Sequence, residues 1–133
     1  MTLVILVVIL ALIEYIVFAM RVGWARGKYG VNAPATTGHP EFERHFRVQQ
    51  NTLEQIVIFI PALVAFAWAA EGVGWAGSYI GSALGVIWLI GRFIYAMSYV
   101  RDPKTRGLGF GLTFGPSAIL IMGTLAAILV SLL

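Results

Sequence analysis

The sequence predicts an all-α membrane protein, a bundle of four transmembrane helices in a single domain spanning 1–133. Three observations carry this. Apolar residues make up 59% of the 133-residue chain and charged residues only 11%, where a soluble domain is about a quarter charged. The apolar residues fall into four long runs, separated by short polar or glycine-rich breaks. The cations gather on alternate breaks: eight of the nine Lys and Arg lie in or beside the first and third, at Arg21, Arg26, Lys28, Arg44, Arg47, Arg101, Lys104 and Arg106. The positive-inside rule places those two loops in the cytoplasm and both termini on the non-cytoplasmic side.

Taken in order, Thr2 to Met20 is an apolar run of 19 residues broken only by Glu14. At about 1.5 Å per residue it crosses a ~30 Å hydrocarbon core. No basic residue precedes it and no small-x-small cleavage site follows, so it reads as a span rather than a signal peptide. Arg21 to Phe42 reads as the first loop. Phe46 to Ala70 is the second span, Glu71 to Gly74 a tight turn, and Trp75 to Val100 the third span, interrupted by Arg92. In the following turn, Arg101 to Arg106, Asp102 fits an N-cap and Pro103 the first helical position. That puts Arg106 in the first turn of the fourth span, Gly107 to Leu133. Trp68 and Trp75 mark the far interface, Trp24 and Tyr29 the cytoplasmic one. Gly77, Gly81 and Gly85 repeat at intervals of four on the third span, as do Gly107, Gly111 and Gly115 on the fourth. Such ridges let backbones approach closely in lipid, either inside one subunit or between two.

The start of the second span carries a polar stripe. At ~100° per residue Arg47, Asn51 and Glu54 fall within a ~60° arc, while Gln49 points to nearly the opposite face. Polar groups there must be satisfied by something other than lipid. Glu54, Arg92 and Glu14 each lie roughly 10–13 Å in from the cytoplasmic end of their helices. Three ionisable groups on one level favour pairing, and Arg92 with Glu54 is the first choice, since antiparallel neighbours would put them level. Such a pair could serve only to staple the bundle. Arg92, Tyr95 and Tyr99 also share a face, and Arg106 follows just past the turn. Arg47, Asn51, Tyr95, Tyr99 and Arg106 would then line a cationic, hydroxyl-rich cleft open to the cytoplasm and suited to an anionic ligand.

Other chemistries are excluded. The chain has no Cys, hence no disulfide, thiolate metal site or cysteine nucleophile. His39 and His45 belong to no metal-spaced group, so no metal is expected. There is no Ser-His-acid arrangement and no phosphate-binding glycine loop. The basic residues bracket hydrophobic spans, which argues against nucleic acid.

FERHFRVQQNTLEQ (Phe42–Gln55) followed by Pro61, PATTGHPEFER (Pro34–Arg44) and RFIYAMSYVRDPKTR (Arg92–Arg106) together resemble the MAPEG family, the membrane-associated proteins in eicosanoid and glutathione metabolism. The resemblance covers essentially the whole chain and lies with members of the microsomal glutathione transferase and leukotriene C4 synthase type. It implies a homotrimer with glutathione, the co-substrate, bound between neighbouring subunits. Arg47, Asn51, Glu54, Tyr95 and Tyr99 would hold it from one subunit, and Arg26 and Gln49 would reach it from the next. Arg106 aligns with the arginine that stabilises the thiolate. Gln55 and Gly27 depart from the tyrosine and second arginine of the leukotriene-forming member, so a more generic glutathione transferase or peroxidase fits better. It would attack lipophilic electrophiles that arrive through the membrane lipid.

Two rivals are a non-catalytic lipid-binding member of the same family and a small multidrug transporter, a four-span chain with a glutamate in helix one, as Glu14 is here. The first-loop length and the Arg47–Glu54 stripe argue against the transporter. The C-terminal Ser-Leu-Leu carries no dilysine-type retrieval signal, which points to a bacterial inner membrane.

Overall fold

A computed structural model describes all residues, Met1–Leu133. Its first helix, α1 (Thr2–Tyr29), continues nine residues past the apolar run. Val22 and Ala25 extend the buried stripe of Phe18 at helical spacing, and they pack with Val31 and Phe42. The helix stops at Gly30, whose φ of 68° is left-handed. The Val31 N–H donates back to the Arg26 carbonyl at 3.1 Å, satisfying an end carbonyl as glycine-terminated helices do.

The second helix, α2 (Pro40–Gly72), starts six residues before the expected span. His39 caps it, Nδ1 accepting from the Glu41 N–H at 3.2 Å. Pro40 takes the first position and Glu41 and Glu43 the first turn, where carboxylates complement the helix dipole. The expected 22-residue loop thus shrinks to residues 30–39. Apolar length measures what crosses lipid, and it leaves out the helical turns that continue into water. At 33 residues and about 50 Å, α2 outruns a ~30 Å core.

The third helix, α3 (Gly77–Arg101), and the fourth, α4 (Gly107–Ser131), follow. Asp102 caps as expected, but what it caps is a separate 3-10 turn, Pro103–Thr105, its Oδ1 accepting from the Lys104 N–H at 3.0 Å. Arg106 therefore stands at the N-cap of α4 rather than inside its first turn.

Helices α2 and α3 form the centre. Each packs on all the others, with α1 and α4 on opposite flanks. The core joins Val7, Phe59, Leu63, Phe66, Trp88 and Leu120, and the Phe59 and Trp88 rings stack 4.2 Å apart at 7°. All four helices are long and apolar enough to cross a membrane. Their outward faces expose large apolar side chains such as Ile5, Val57, Ile90 and Leu125, which a water-soluble fold would hide.

The two glycine ridges part company. On α3 a Cβ at Gly77 would lie 2.6 Å from the Ala67 carbonyl oxygen, and one at Gly85 2.5 Å from Val7 Cγ1. That ridge packs inside the chain. On α4 a Cβ at Gly107, Gly111 or Gly115 meets nothing within 4 Å. There the inward contacts belong to Gly109 and Gly123, against the Tyr95 backbone and the Phe66 ring.

Candidate functional site

The polar stripe of α2, the C-terminal half of α3 and the start of α4 converge into one array. Its anchor is Arg92, fully buried. The guanidinium forks onto Asn51, Nη1 and Nη2 donating to Oδ1 at 3.0 and 3.1 Å. The Asn51 amide then turns outward, Nδ2 donating to Glu54 Oε2 at 3.3 Å. Arg47 Nη1 lies 3.9 Å from Glu54 Oε1. On the other side Arg92 lies over the Tyr95 ring, 4.2 Å from its centroid. Tyr95 stacks on Tyr99 at 5.5 Å, and Arg106 lies 6.0 Å from the Tyr99 centroid. Arg47, Asn51, Glu54, Arg92, Tyr95, Tyr99 and Arg106 thus form one continuous surface. Its inner end is dry and its outer end wet, since the Arg47 and Glu54 side chains are 54% and 47% exposed.

The direct Arg92–Glu54 pair expected from their depth is replaced by a bridge. Asn51 lies one turn nearer the helix start, takes the guanidinium on its oxygen and passes a hydrogen bond on to the carboxylate. Glu54 keeps its charge contact for the exposed Arg47. The ion pairs within 4.0 Å are Arg47–Glu54 and, at 3.5 Å, Arg44–Glu41. Periodicity placed Asn51 on the right face. Level alone could not show that a neutral amide would stand between two charges.

Gln49 and Arg26 lie apart from this array. Gln49 Nε2 donates to the Tyr15 hydroxyl at 2.6 Å, tying α2 to α1. Arg26 Nη1 donates to the Ala35 carbonyl at 2.7 Å and, more weakly, to that of Val31 at 3.4 Å. Its guanidinium also covers the Phe42 ring at 4.7 Å. The face split expected for Gln49 holds within the chain. Sequence reasoning missed Tyr15, an aromatic in an apolar run whose hydroxyl gave no signal. It also gave Arg44 no role beyond its place among the loop cations. Arg44 Nη1 in fact donates to the Val100 and Arg101 carbonyls at 3.0 and 3.2 Å, satisfying carbonyls that the end of a helix leaves free and fixing α3 against α2.

A polar cleft of about 490 Å³ adjoins the array, lined by Arg44, Phe46, Arg47, Tyr99 and Pro103 among others. A more enclosed cavity of about 290 Å³ lies on the other flank, between α1, α2 and α3. Its walls are apolar but for Glu14, Arg21 and His45. It lacks the hydroxyl and amide groups that orient a polar ligand, so the cleft beside Arg47 and Tyr99 is the better candidate.

A four-helix membrane bundle with a cationic, hydroxyl-rich array at one end of α2 and α3 is the class that fold and site define. Comparison with known proteins supplies the family. A sequence profile of the MAPEG family matches residues 3–126. An uncharacterised protein of Synechocystis sp. is 44% identical over 124 residues, 93% of this chain and 86% of that protein. Human microsomal glutathione S-transferase 2 is 42% identical over 106 residues, 79% of this chain and 67% of its own length. Bovine leukotriene C4 synthase is 34% identical over 89 residues, 67% of this chain and 55% of its own. The chain belongs to the MAPEG family.

Proposed function

We propose that this protein is a membrane-embedded glutathione transferase, with glutathione peroxidase activity as a second outlet of the same thiolate. The observation that carries the reading is the unbroken run from Arg47 through Asn51, Arg92, Tyr95 and Tyr99 to Arg106. Glutathione is a peptide with two carboxylates, one ammonium and a thiol. Arg47 and Asn51 suit a carboxylate and backbone groups, Glu54 the ammonium, and Arg106, at the far end, the sulfur. The name of the human relative, a glutathione S-transferase, supports the same co-substrate.

The chemistry needs little more. A free thiol has a pKa near 8.5, so about 3% is thiolate at pH 7. A guanidinium held beside it depresses that by ~1–3 units. At ~2 units roughly three quarters is thiolate. The thiolate then attacks the electrophilic carbon, its electron pair forming the C–S bond as the leaving group departs with its own. With a hydroperoxide the sulfur attacks the distal oxygen instead, and a second glutathione resolves the product.

The reading includes a homotrimer in which Arg26 and Gln49 reach the neighbour's site. The open glycine face of α4 supports it, since that face lets another backbone approach closely. Loops one and three lie in the cytoplasm of a bacterial inner membrane, in keeping with the cation distribution and the Synechocystis relative. The decisive assay combines purified protein, glutathione and a generic aryl halide. Protein-dependent conjugate formation supports the transferase. Glutathione binding with neither conjugation nor a thiolate absorbance would replace it with a non-catalytic binder.

A further inference from the structure

Glu14 has no part in the array described above, yet it is the one carboxylate within the apolar run of α1. Its Oε2 is buried and has no hydrogen-bond partner in the chain. The same is true of one donor on Arg92, its Nε. An acceptor without a donor and a donor without an acceptor each cost free energy in a low-dielectric interior.

The register of α1 against α3 brings the two together. The helices run parallel. The Met1 ammonium donates to Ser78 Oγ at 2.8 Å. The space over Gly85 is filled by Val7. Phe18 packs in one cluster with Tyr95 and Ala96. Each pair is separated by 77 or 78 positions in sequence, and so are Glu14 and Arg92, at 78. Glu14 thus lies level with Arg92 on the adjacent helix, near enough for each to act on the other's charge. The cavity beside Glu14 offers nothing better. Its other polar residues are Arg21 and His45, so a cationic guest would meet positive charge.

We infer that Glu14 is the counter-ion of Arg92 and a positioning residue for the glutathione array. It attracts the guanidinium across the gap from the α1 side, while Asn51 accepts its hydrogen bonds from the α2 side. Through Asn51 it sets the direction of Glu54 and Arg47. This rests on the reading of that array as the glutathione site.

A double-mutant cycle on the full-length protein in detergent tests it, with Glu14→Gln, Arg92→Gln and the pair. Two quantities are read: the melting temperature without ligand and the glutathione Kd. Each single variant is expected to weaken glutathione binding by about tenfold, in the range of coupled neighbours. For Glu14→Gln the loss falls on Kd rather than on kcat at saturating glutathione, because Arg106 is untouched. The double variant is expected to lose no more affinity than either single, and to melt above Arg92→Gln, since it strands no charge. If Arg92→Gln does not fold, recovery of folding in the double variant shows the same coupling, and Arg92→Lys replaces it in the binding cycle. Losses that multiply in the double variant, or a Glu14→Gln protein with unchanged Kd, overturn the inference. Wild type that binds no glutathione defeats the functional reading instead, and the melting cycle still decides whether Glu14 and Arg92 are partners.

Discussion

Replacing Asn51 by alanine removes the acceptor that takes both terminal nitrogens of Arg92. Arg92 has no exposure to solvent, but Asn51 is only part-buried, so water can reach some of the vacated place and soften the loss. A hydrogen bond to a charged group is worth about 1.5–3 kcal/mol. Two that share one oxygen are not worth twice one. The Tyr95 face keeps part of the attraction. The net loss comes to about 3 kcal/mol, at the lower edge of what removing the partner of a buried charge costs. For a chain of this size that lowers the melting temperature by on the order of 10 °C. Asn51→Asp separates stability from binding. It retains an acceptor for Arg92 and adds charge to the contact, so the melting temperature holds or rises. It also loses the donor that Glu54 accepts from and sets two carboxylates one turn apart, so glutathione affinity falls. Thermal unfolding in a fixed detergent, with and without glutathione, reads both effects. An Asn51→Ala protein that melts within about 2 °C of wild type would refute the reasoning, because Arg92 would then be held by something other than Asn51.

Arg106→Ala is expected to lower kcat for conjugation at pH 7 by about 25-fold, the fall in thiolate from roughly three quarters to about 3% that a ~2-unit change in thiol pKa makes there. The depressed pKa puts the wild-type thiolate in place at neutral pH, whereas the variant gains it only as pH rises toward about 8.5. The deficit should therefore shrink in alkaline buffer, as followed by thiolate absorbance and by rate. Glu54→Gln is expected to shift the melting temperature little, because Glu54 is 47% exposed and paired with an equally wet arginine, a contact worth about 1 kcal/mol or less. Isothermal titration should nevertheless show weaker glutathione binding. Gly85→Ala forces a Cβ to 2.5 Å from Val7 and should destabilise the chain by about 1–3 kcal/mol, visible as a lower melting temperature. At Gly111 an added Cβ meets nothing within 4 Å, so Gly111→Leu points away from the chain's own packing. It should leave the monomer fold intact by circular dichroism and disrupt the proposed trimer in native mass spectrometry.

Much of this was legible in the residues. Four apolar runs and the side on which cations fall gave the bundle, and α2 periodicity put Arg47, Asn51 and Glu54 on one face. Helix ends were less legible, because hydropathy stops at the membrane while α1 and α2 continue as amphipathic turns stabilised by Val22, Ala25 and Phe42. Pairing was the least legible. Counting residues gives Glu14, Glu54 and Arg92 a depth along their helices, but depth is one coordinate, and Asn51 decided the outcome by orientation. The tie from Gln49 to Tyr15 was invisible for the same reason. A hydroxyl in an apolar helix carries no sign of what it meets until the helix opposite is placed.

The parallel register of α1 and α3 also sets a sequence of events during synthesis. Glu14 enters the bilayer on the first helix, within its long apolar run, 78 positions before Arg92 is made. Chains emerge N-terminus first, at about 5–20 residues per second, so for several seconds α1 holds a carboxyl in lipid with no cation at its depth. Holding it there as the acid rather than the ion is the less costly course. The arrival of α3 then brings the guanidinium, and the proton can leave. Membrane insertion of this protein would thus end in the release of a proton, a step that a helix with leucine at position 14 would skip.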